Sequence, residues 1–369
     1  VSNKTEANGA SAFTISTNIG GFTDVSISTV SNAQGGAEAQ TKESIRFNAP
    51  LQFSAQDRAV TTADYESLVQ SIFPNAQSVS AWGGEDDETP VYGKVIIAIK
   101  AKSGSTLTNT TKQDIVTQLQ KYNVASVRPE IVDPQITKIL LTSNIKFDEK
   151  ATTKTANTIK SEVLTTITNY NTDTLSQFDG VFRFSKLSSL IDATDNSILS
   201  NITTLKIRKD FTPTLASSTR YDIYFRNALF NPHSGHNAAA GGILESSGFK
   251  ISGDSSTVFF LDDDGQGNVR RYSFSGATRV YANENQGTID YDTGAITINS
   301  LSVLSVENIR GSVSSKIELT VVPQSNDVVP VRDQIIEIDT ANSSVTVAAD
   351  TFVGGSSDAG VGYTTSSSY

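Results

Sequence analysis

The sequence predicts a multidomain α+β protein, built from small helix-on-sheet modules with a β-rich insertion. Hydrophobic residues are 37% and charged residues 18% of the 369 residues, and Ser, Thr and Asn are abundant. This composition favours many strands and loops with modest cores. Capped amphipathic helices alternate with short apolar runs over residues 51–230, and hairpin signals cluster over residues 231–300.

The clearest helix begins near Thr62. Either Thr61 or Thr62 can cap it, because a hydroxyl accepts a hydrogen bond from a free amide of the first turn. Asp64 places negative charge at the positive end of the helix dipole, and Pro74 ends the helix. Four apolar residues at helical spacing form one face: Tyr65, Leu68, Val69 and Ile72.

A second helix repeats this design from Thr111, and a third spans about 153–172. The continuous apolar run Val95–Ile99 is short enough for a buried strand, and Gln135–Phe147 reads as a long strand with one buried face. Further strands are expected at Gly180–Phe184 and Thr203–Ile207, with a helical turn near Leu187–Ile191. This order favours helices on one face of a sheet.

The β-rich part contains two predicted hairpins. The first joins Thr257–Leu261 to Val269–Phe274, and the second joins Thr288–Tyr291 to Ala295–Asn299 through a turn in which Gly294 supplies a positive φ. Strands then return at two places: Lys316–Val322 and Gln334–Ile338.

Five parts follow from this pattern. Residues 1–50 are an extended or β N-terminal arm, and residues 51–130 are an α+β module. Residues 131–230 with 301–345 form a ferredoxin-like α+β module, into which residues 231–300 are inserted as a β-rich domain. Residues 346–369 are low in complexity and are expected to form a flexible C-terminal tail.

Composition also excludes several function classes. The absence of Cys excludes disulfides, thiolate catalysis and Cys-ligated zinc. The net charge of −10 and the absence of a Lys/Arg-rich run argue against nucleic acid as a partner. No apolar run approaches the roughly 20 residues that span a bilayer, so no membrane partner is expected. The absence of Met indicates the C-terminal part of a longer protein.

Two motifs resemble metal sites. Asp262, Asp263 and Asp264 begin a partial calcium loop, but Ser273 stands where a bidentate Glu should close it, so an acidic hairpin loop is favoured and cation binding stays open. His233 and His236 could bind zinc, but no third ligand is evident locally, so two exposed polar residues are the favoured interpretation. We therefore expect no metal, no cofactor and no catalytic residue.

The candidate contact surface is an acidic loop. Glu85, Asp86, Asp87 and Glu88 follow Gly83-Gly84, and four adjacent carboxylates are a solvated charge run more simply than a catalytic pair. Such a loop can meet a basic partner. Trp82, the only Trp, either caps a small core or anchors an interface.

Three motifs carry a family resemblance. AVTTADYE at 59–66, WGGED at 82–86 and YGKV at 92–95, in this order and spacing, resemble the Baseplate J family of contractile phage tails. The resemblance is strongest over residues 55–210 and makes residues 51–130 the family's middle part.

The resemblance implies a structural subunit without catalytic residues. It implies self-association through dimer and ring contacts around a hub, binding to other baseplate wedge subunits and to hub or sheath-proximal proteins, and rearrangement when the sheath contracts. It also implies a place in the virion tail baseplate, with assembly in the host cytoplasm. A receptor-binding or adhesin module of a phage tail is the alternative, and a tail hydrolase that uses the acidic cluster is a third hypothesis.

Overall fold

The computed structural model describes Glu6 and residues 10–16, 20–21, 25–27, 42–56, 58–87, 89–102, 106–124, 126–236 and 242–350. The chain divides into two compact units. The first holds the described residues up to Thr137, with Thr174–Val181 and Val329–Ile336. The second holds Lys138–Asp173, Phe182–Val328 and the described residues from Glu337 onward. No described helix is long and apolar enough to cross a lipid bilayer.

The first unit places helices against a three-stranded sheet. Strands β1 and β2 are antiparallel, and β3 adds to β2 in parallel. The elements are α1 (Lys42–Ala55), α2 (Thr62–Ile72), β1 (Ala76–Gly83), β2 (Lys94–Ala101), α3 (Asn109–Leu119) and β3 (Arg128–Val132). The predicted first two helices and the strand Val95–Ile99 are therefore present.

Local capping explains where the helices begin. Thr61, not Thr62, caps α2: its Oγ1 accepts from the Asp64 amide at 3.3 Å, and the Asp64 carboxylate accepts from the Thr61 amide at 2.8 Å. Partial burial alone would raise the pKa of Asp64. The hydrogen bonds from the amides of Thr61 and Val60 together outweigh it, so the pKa lies below its ordinary value. Helix α3 begins one turn before the expected Thr111, because Thr108 caps it.

The core of this unit lies between the helices and the sheet. Tyr65 and Val69 of α2 are fully buried, and they share one apolar cluster with Ile97 of β2 and Leu119 of α3. Residues 42–50, which were expected to be extended, belong instead to α1. Pro50 lies inside that helix, and a proline within a helical pattern normally predicts an end to the helix.

Two larger sheets are built mainly from residues of the second unit. The remaining elements are β4 (Gln135–Phe147), α4 (Ala156–Tyr170), α5 (Phe184–Asp192), β5 (Ile198–Phe211), β6 (Thr219–Tyr224), β7 (Glu245–Ser246), β8 (Phe249–Ile251), β9 (Asp254–Asp263), β10 (Asn268–Ser275), β11 (Thr278–Asp290), β12 (Ala295–Leu301), β13 (Val303–Val306), β14 (Ile317–Val321), β15 (Gln334–Ile338) and β16 (Ser344–Ala349). A six-stranded sheet has the order β15-β4-β5-β14-β7, and β16 pairs with β4 in parallel. Helices α4 and α5 bury Ile159, Val163, Ile167, Leu187 and Ile191.

The seven-stranded sheet has the order β13-β8-β9-β10-β11-β12-β6, with antiparallel neighbours throughout. Both predicted hairpins are present in it, and Gly294 has φ +71° as expected. The sheet also takes in Thr219–Tyr224 and Val303–Val306, so it is wider than the predicted insertion 231–300.

Three expectations are corrected. Gly180–Phe184 is not a strand: Phe182 makes a single bridge to Val328, and α5 begins at Phe184. The second unit does not follow the ferredoxin-like β-α-β-β-α-β order, because two helices stand between β4 and β5 and the chain after β5 forms strands only within its described residues. Residues 346–349, expected to begin the flexible C-terminal tail, belong instead to β16, and residues 351–369 lie outside the described residues. The division into five parts otherwise stays a prediction.

Candidate interaction surface

The acidic loop between β1 and β2 is a folded turn. Gly84–Asp86 form one turn of 3₁₀ helix, in which the Asp87 amide donates to the Gly84 carbonyl at 3.3 Å. The Val91 amide donates to the same carbonyl at 2.9 Å and closes the loop. The carboxylates are therefore presented from a defined backbone.

Gly84 is required for this closure. It is buried, and a Cβ atom built on it would collide with the carbonyl oxygen of Val91 and lie 3.2 Å from Cβ of Lys94. A larger residue would have to push the segment that contains Val91 away from the turn. The second glycine of the Gly-Gly pair before the acidic run therefore has a steric reason.

The side chains of the loop divide by exposure. Glu85 and Asp86 are exposed and Asp87 is half-buried, while Glu88 lies outside the described residues. Tyr92 is 83% exposed at the far end of the loop. Tyr92 was not among the predicted contact residues, although an aromatic residue in the loop segment PVYGK was a usable signal. An exposed Tyr beside carboxylates is suited to protein contacts.

Trp82 lies under the loop and not on its surface. It is 8% exposed and packs in a second apolar cluster with Ile96, Ala98, Phe178 and Ile335. Its indole N–H has no hydrogen-bond partner among the described residues. The residue occupies the core position that the sequence analysis gave as one of two alternatives.

The three adjacent aspartates of the β9–β10 hairpin have three different environments. Asp262, 1% exposed, accepts from Arg270 at 3.0 Å, from Arg279 at 2.7 Å and from the Tyr281 hydroxyl at 3.0 Å. Burial raises the pKa of Asp262 above its ordinary value, although both guanidinium groups and Tyr281 act in the opposite direction. Two cations and a phenol therefore hold this carboxylate.

Asp263 and Asp264 organise the backbone around the hairpin. Asp263 accepts from the Ile243 amide at 2.6 Å, from the Leu244 amide at 2.8 Å and from the Tyr291 hydroxyl at 2.5 Å. Burial, followed by the contact with Asp263, raises the pKa of Tyr291 far above its ordinary value. Asp264 accepts from the amides of Gln266 and Asn268 inside the turn. All three carboxylates are engaged by protein donors.

The two histidines lie together in an exposed turn. His233 Nε2 and His236 Nδ1 are 3.0 Å apart, and the His236 ring also packs edge-on against Phe230 at 5.6 Å between centroids. Within the described ranges, no group of three or more His, Cys, Asp or Glu residues is arranged to hold a metal ion. The structure thus brings the two histidines together, with no third ligand of these types beside them in the part of the chain that is described.

Two segments of the chain match family models. Residues 61–132 match the model described as "Baseplate structural protein gp6, C-terminal domain I", and residues 138–210 match "Baseplate structural protein gp6, C-terminal domain III". The first segment contains the WGGED and YGKV motifs. The models carry the name gp6, and the Baseplate J name stays a prediction.

A curated relative also carries the name gp6. "Baseplate wedge protein gp6" of Enterobacteria phage T4 is 26% identical over 216 residues, which are 56% of this chain and 32% of the relative. The chain thus spans about a third of the relative's length.

Among solved structures, "Cryo-EM structure of the anti-feeding prophage (AFP) baseplate, 6-fold symmetrised" aligns with TM-score 0.35 and 12% identity over 49% of this chain and 42% of that chain. At this TM-score the likeness is not evidence for fold or function. The two segments 61–132 and 138–210 are therefore similar to two C-terminal domains of gp6-type baseplate structural proteins.

Proposed function

We propose that this chain is a structural subunit of a contractile phage tail baseplate, acting in the wedge. The observation that carries the proposal is the pair of consecutive segments, 61–132 and 138–210, which match C-terminal domains I and III of one baseplate protein in that order. The T4 wedge protein supports it over a longer stretch of 216 residues.

A scaffold role agrees with the chemistry of the described residues. The carboxylates of Asp262, Asp263 and Asp264 are bonded to arginines, backbone amides and phenols. Glu85 and Asp86 share one exposed loop, and they lack the facing arrangement that paired acid–base chemistry needs. We therefore propose a structural and not a catalytic role.

The acidic loop is the contact surface that we propose. Glu85, Asp86 and Tyr92 project from a turn that Gly84 holds in place, and Asp87 and Glu88 complete the acidic run in the sequence. Exposed carboxylates and an exposed aromatic ring in one loop with a defined backbone suit a basic surface on another subunit, because complementary charge steers and orients association. In this proposal Trp82, buried near the end of β1, anchors the start of the loop to the apolar core.

The remaining parts of the proposal come from the resemblance alone. They are self-association into an inner ring around the hub, contacts with other wedge subunits and with hub or sheath-proximal proteins, and rearrangement on contraction. They also include a location in the virion tail baseplate after assembly in the host cytoplasm.

Cryo-electron microscopy of assembled baseplates tests the role. We expect density for this chain in the wedge, next to the hub. Density in peripheral fibres alone would contradict the scaffold role and would support the receptor-binding alternative.

A charge-reversal pair tests the loop. We expect Glu85→Lys with Asp86→Lys to reduce incorporation of the full chain into baseplates, while Glu149→Lys with Asp192→Lys leaves it unchanged. The control changes two exposed acids of the second unit and reaches the same net charge. Equal incorporation of both double variants and the wild type would show that the loop is not a contact surface.

A further inference from the structure

The turn that carries both histidines is fastened to its surroundings. The His236 amide donates to the His233 carbonyl at 3.0 Å, and Gly235 has φ +78°, a conformation that favours glycine. The Gly235 amide donates to the Gly265 carbonyl at 2.8 Å, and the Asn231 side-chain amide donates to the same oxygen at 3.3 Å. Two hydrogen bonds to one carbonyl oxygen therefore hold the turn against the loop between β9 and β10.

This turn sets the distance between two imidazole nitrogens. His233 Nε2 and His236 Nδ1 are 3.0 Å apart, with the rings at 88° and their centroids 4.7 Å apart. Two imidazoles on one metal ion, each bonded at about 2.0–2.1 Å and separated by an angle of about 90–110°, place their nitrogens about 2.9–3.4 Å apart. The spacing of the pair is that of adjacent ligands on one ion.

A neighbouring carbonyl fixes the tautomer of one ring. His233 Nδ1 lies 3.2 Å from the Ser234 carbonyl oxygen, which can only accept, so Nδ1 carries the proton and Nε2 keeps its lone pair. A hydrogen bond from the second ring nitrogen to a backbone carbonyl is the usual support of a metal-ligating histidine.

We propose that His233 Nε2 and His236 Nδ1 form a two-imidazole site for a divalent late transition-metal ion of the Zn²⁺, Ni²⁺ or Cu²⁺ class. Imidazole suits these ions, whereas Ca²⁺ and Mg²⁺ prefer oxygen ligands. The nearby aspartates are engaged elsewhere, so water completes the coordination in the isolated chain.

The proton balance of binding is simple. In the metal-free pair His236 Nδ1–H donates a hydrogen bond to the lone pair of His233 Nε2. When the metal binds, that proton moves to His236 Nε2, and both facing lone pairs become ligands without a net change of charge on the neutral pair. Each ring turns about its side-chain bonds until the two lone pairs converge on the ion. Both rings are exposed, so this rotation changes the edge-on contact of His236 with Phe230 but moves no buried side chain.

Isothermal titration of the full, untagged chain with Zn²⁺ and Ni²⁺ near neutral pH tests this site. We expect one site in the wild type and at least a tenfold loss of affinity in both His233→Ala and His236→Ala. Ser218→Ala, at an exposed position outside this turn, is the control and should bind as the wild type does. Equal binding by the wild type and both histidine variants would overturn the proposal, as would absence of binding by the wild type.

Thermal unfolding provides the second readout. Each ion should raise the Tm of the wild type and of Ser218→Ala, because a ligand that binds only the folded state stabilises it. It should leave the Tm of the histidine variants unchanged, and Ca²⁺ should leave all Tm values unchanged. With EDTA all four proteins should unfold at similar temperatures, since both histidines are exposed. A Ca²⁺ shift as large as the Zn²⁺ shift would contradict a nitrogen site.

Discussion

Asp262 shows how one residue can look like a ligand in sequence and act as a counterion in the fold. Its carboxylate is 1% exposed and lies between Arg270 and Arg279, and these guanidinium groups also stack over Tyr281 and Tyr272 at 4.3 and 4.6 Å. The arginines come from β10 and β11, so the carboxylate joins three strands of one sheet.

Asp262→Asn should destabilise the protein by about 1–3 kcal/mol, because the amide keeps the side-chain shape but has a single acceptor oxygen for Arg270, Arg279 and the Tyr281 hydroxyl, so partly buried donors lose their partner. Urea unfolding would measure the loss. Asp292→Asn, at an exposed position in the turn after β11, is the control and should change stability little. A loss for Asp262→Asn no greater than for the control would mean that the cations are solvated well enough without the carboxylate.

Gly84 leads to a second prediction at the residue scale. Gly84→Ala should cost about 1–3 kcal/mol, because the new methyl group overlaps the Val91 carbonyl oxygen in a closed turn. Thermal unfolding of this variant beside Asp86→Ala, which removes an exposed side chain of the same turn, would separate steric overlap from a general effect of changing the loop. An unchanged Tm in Gly84→Ala would show that the turn can open.

At the scale of elements, only the first of two adjacent threonines, Thr61 and Thr62, caps the N-terminus of α2. Thr61→Ala should destabilise the protein by about 1 kcal/mol, because it removes the hydroxyl that accepts from the Asp64 amide. Thr62→Ala should cost less, because Thr62 is already the first helical residue. Chemical denaturation of both variants would check this, and equal losses would contradict the assignment of Thr61 as the cap.

Asp195 links the segment before α4 to the start of β5. Lys154 Nζ lies 2.8 Å from its carboxylate, and the Ser197 hydroxyl and amide donate to it. The ion pair with Lys154, followed by the Ser197 donors, holds the pKa of Asp195 at about 2, below the ordinary 3.8. The stabilisation is thus present above the ordinary pKa and is lost as the pH falls through the folded value.

Asp195→Asn should therefore unfold at lower urea than the wild type near neutral pH, and the difference should shrink as the pH falls from about 4 towards about 2. Urea titrations at several pH values would show this. Asp192→Asn, which changes the exposed last residue of α5, is the control. A difference that grew on acidification would contradict the depressed pKa.

The elements that could be predicted from the sequence are those with a local signal. The cap and apolar stripe of α2 and the glycine of the β11–β12 turn lie within a few residues of the structure that they specify. Helix α1, which contains Pro50, could not be predicted in this way, and neither could the parallel pairing of β16 with β4, in which Thr346 bonds to Ser143 across 203 positions of sequence. No local pattern encodes a pairing at that separation.

The candidate surface follows the same rule. The exposure of Glu85 and Asp86 could be predicted from residue type, and Gly84 indicated a turn. The burial of Trp82 depends on Phe178 and Ile335, which are distant in sequence, and could not be predicted. The approach of His233 to His236 depends on a turn tied to Gly265, so the H-x-x-H spacing alone did not reveal it.

At the scale of the whole molecule, net charge and local charge act in opposite directions. The formal net charge of −10 makes two copies repel one another, and added salt screens that repulsion. The acidic loop, by contrast, should attract a basic surface, and salt weakens that attraction. The response to salt therefore distinguishes association that is limited by the net charge from association through the acidic loop.

Self-association of the purified chain should strengthen as NaCl rises from about 0.05 M to about 0.5 M, measured as the weight-average mass in sedimentation equilibrium across protein concentration. Glu85→Lys with Asp86→Lys raises the formal net charge from −10 to −6, because each substitution replaces a negative with a positive charge, and Glu149→Lys with Asp192→Lys does the same. If net repulsion governs self-association, both double variants should associate more readily at low salt, and to the same extent. If the loop itself meets a basic surface of a second copy, only the Glu85→Lys with Asp86→Lys variant should show a lower weight-average mass than the wild type. The wild type should then dissociate as salt rises.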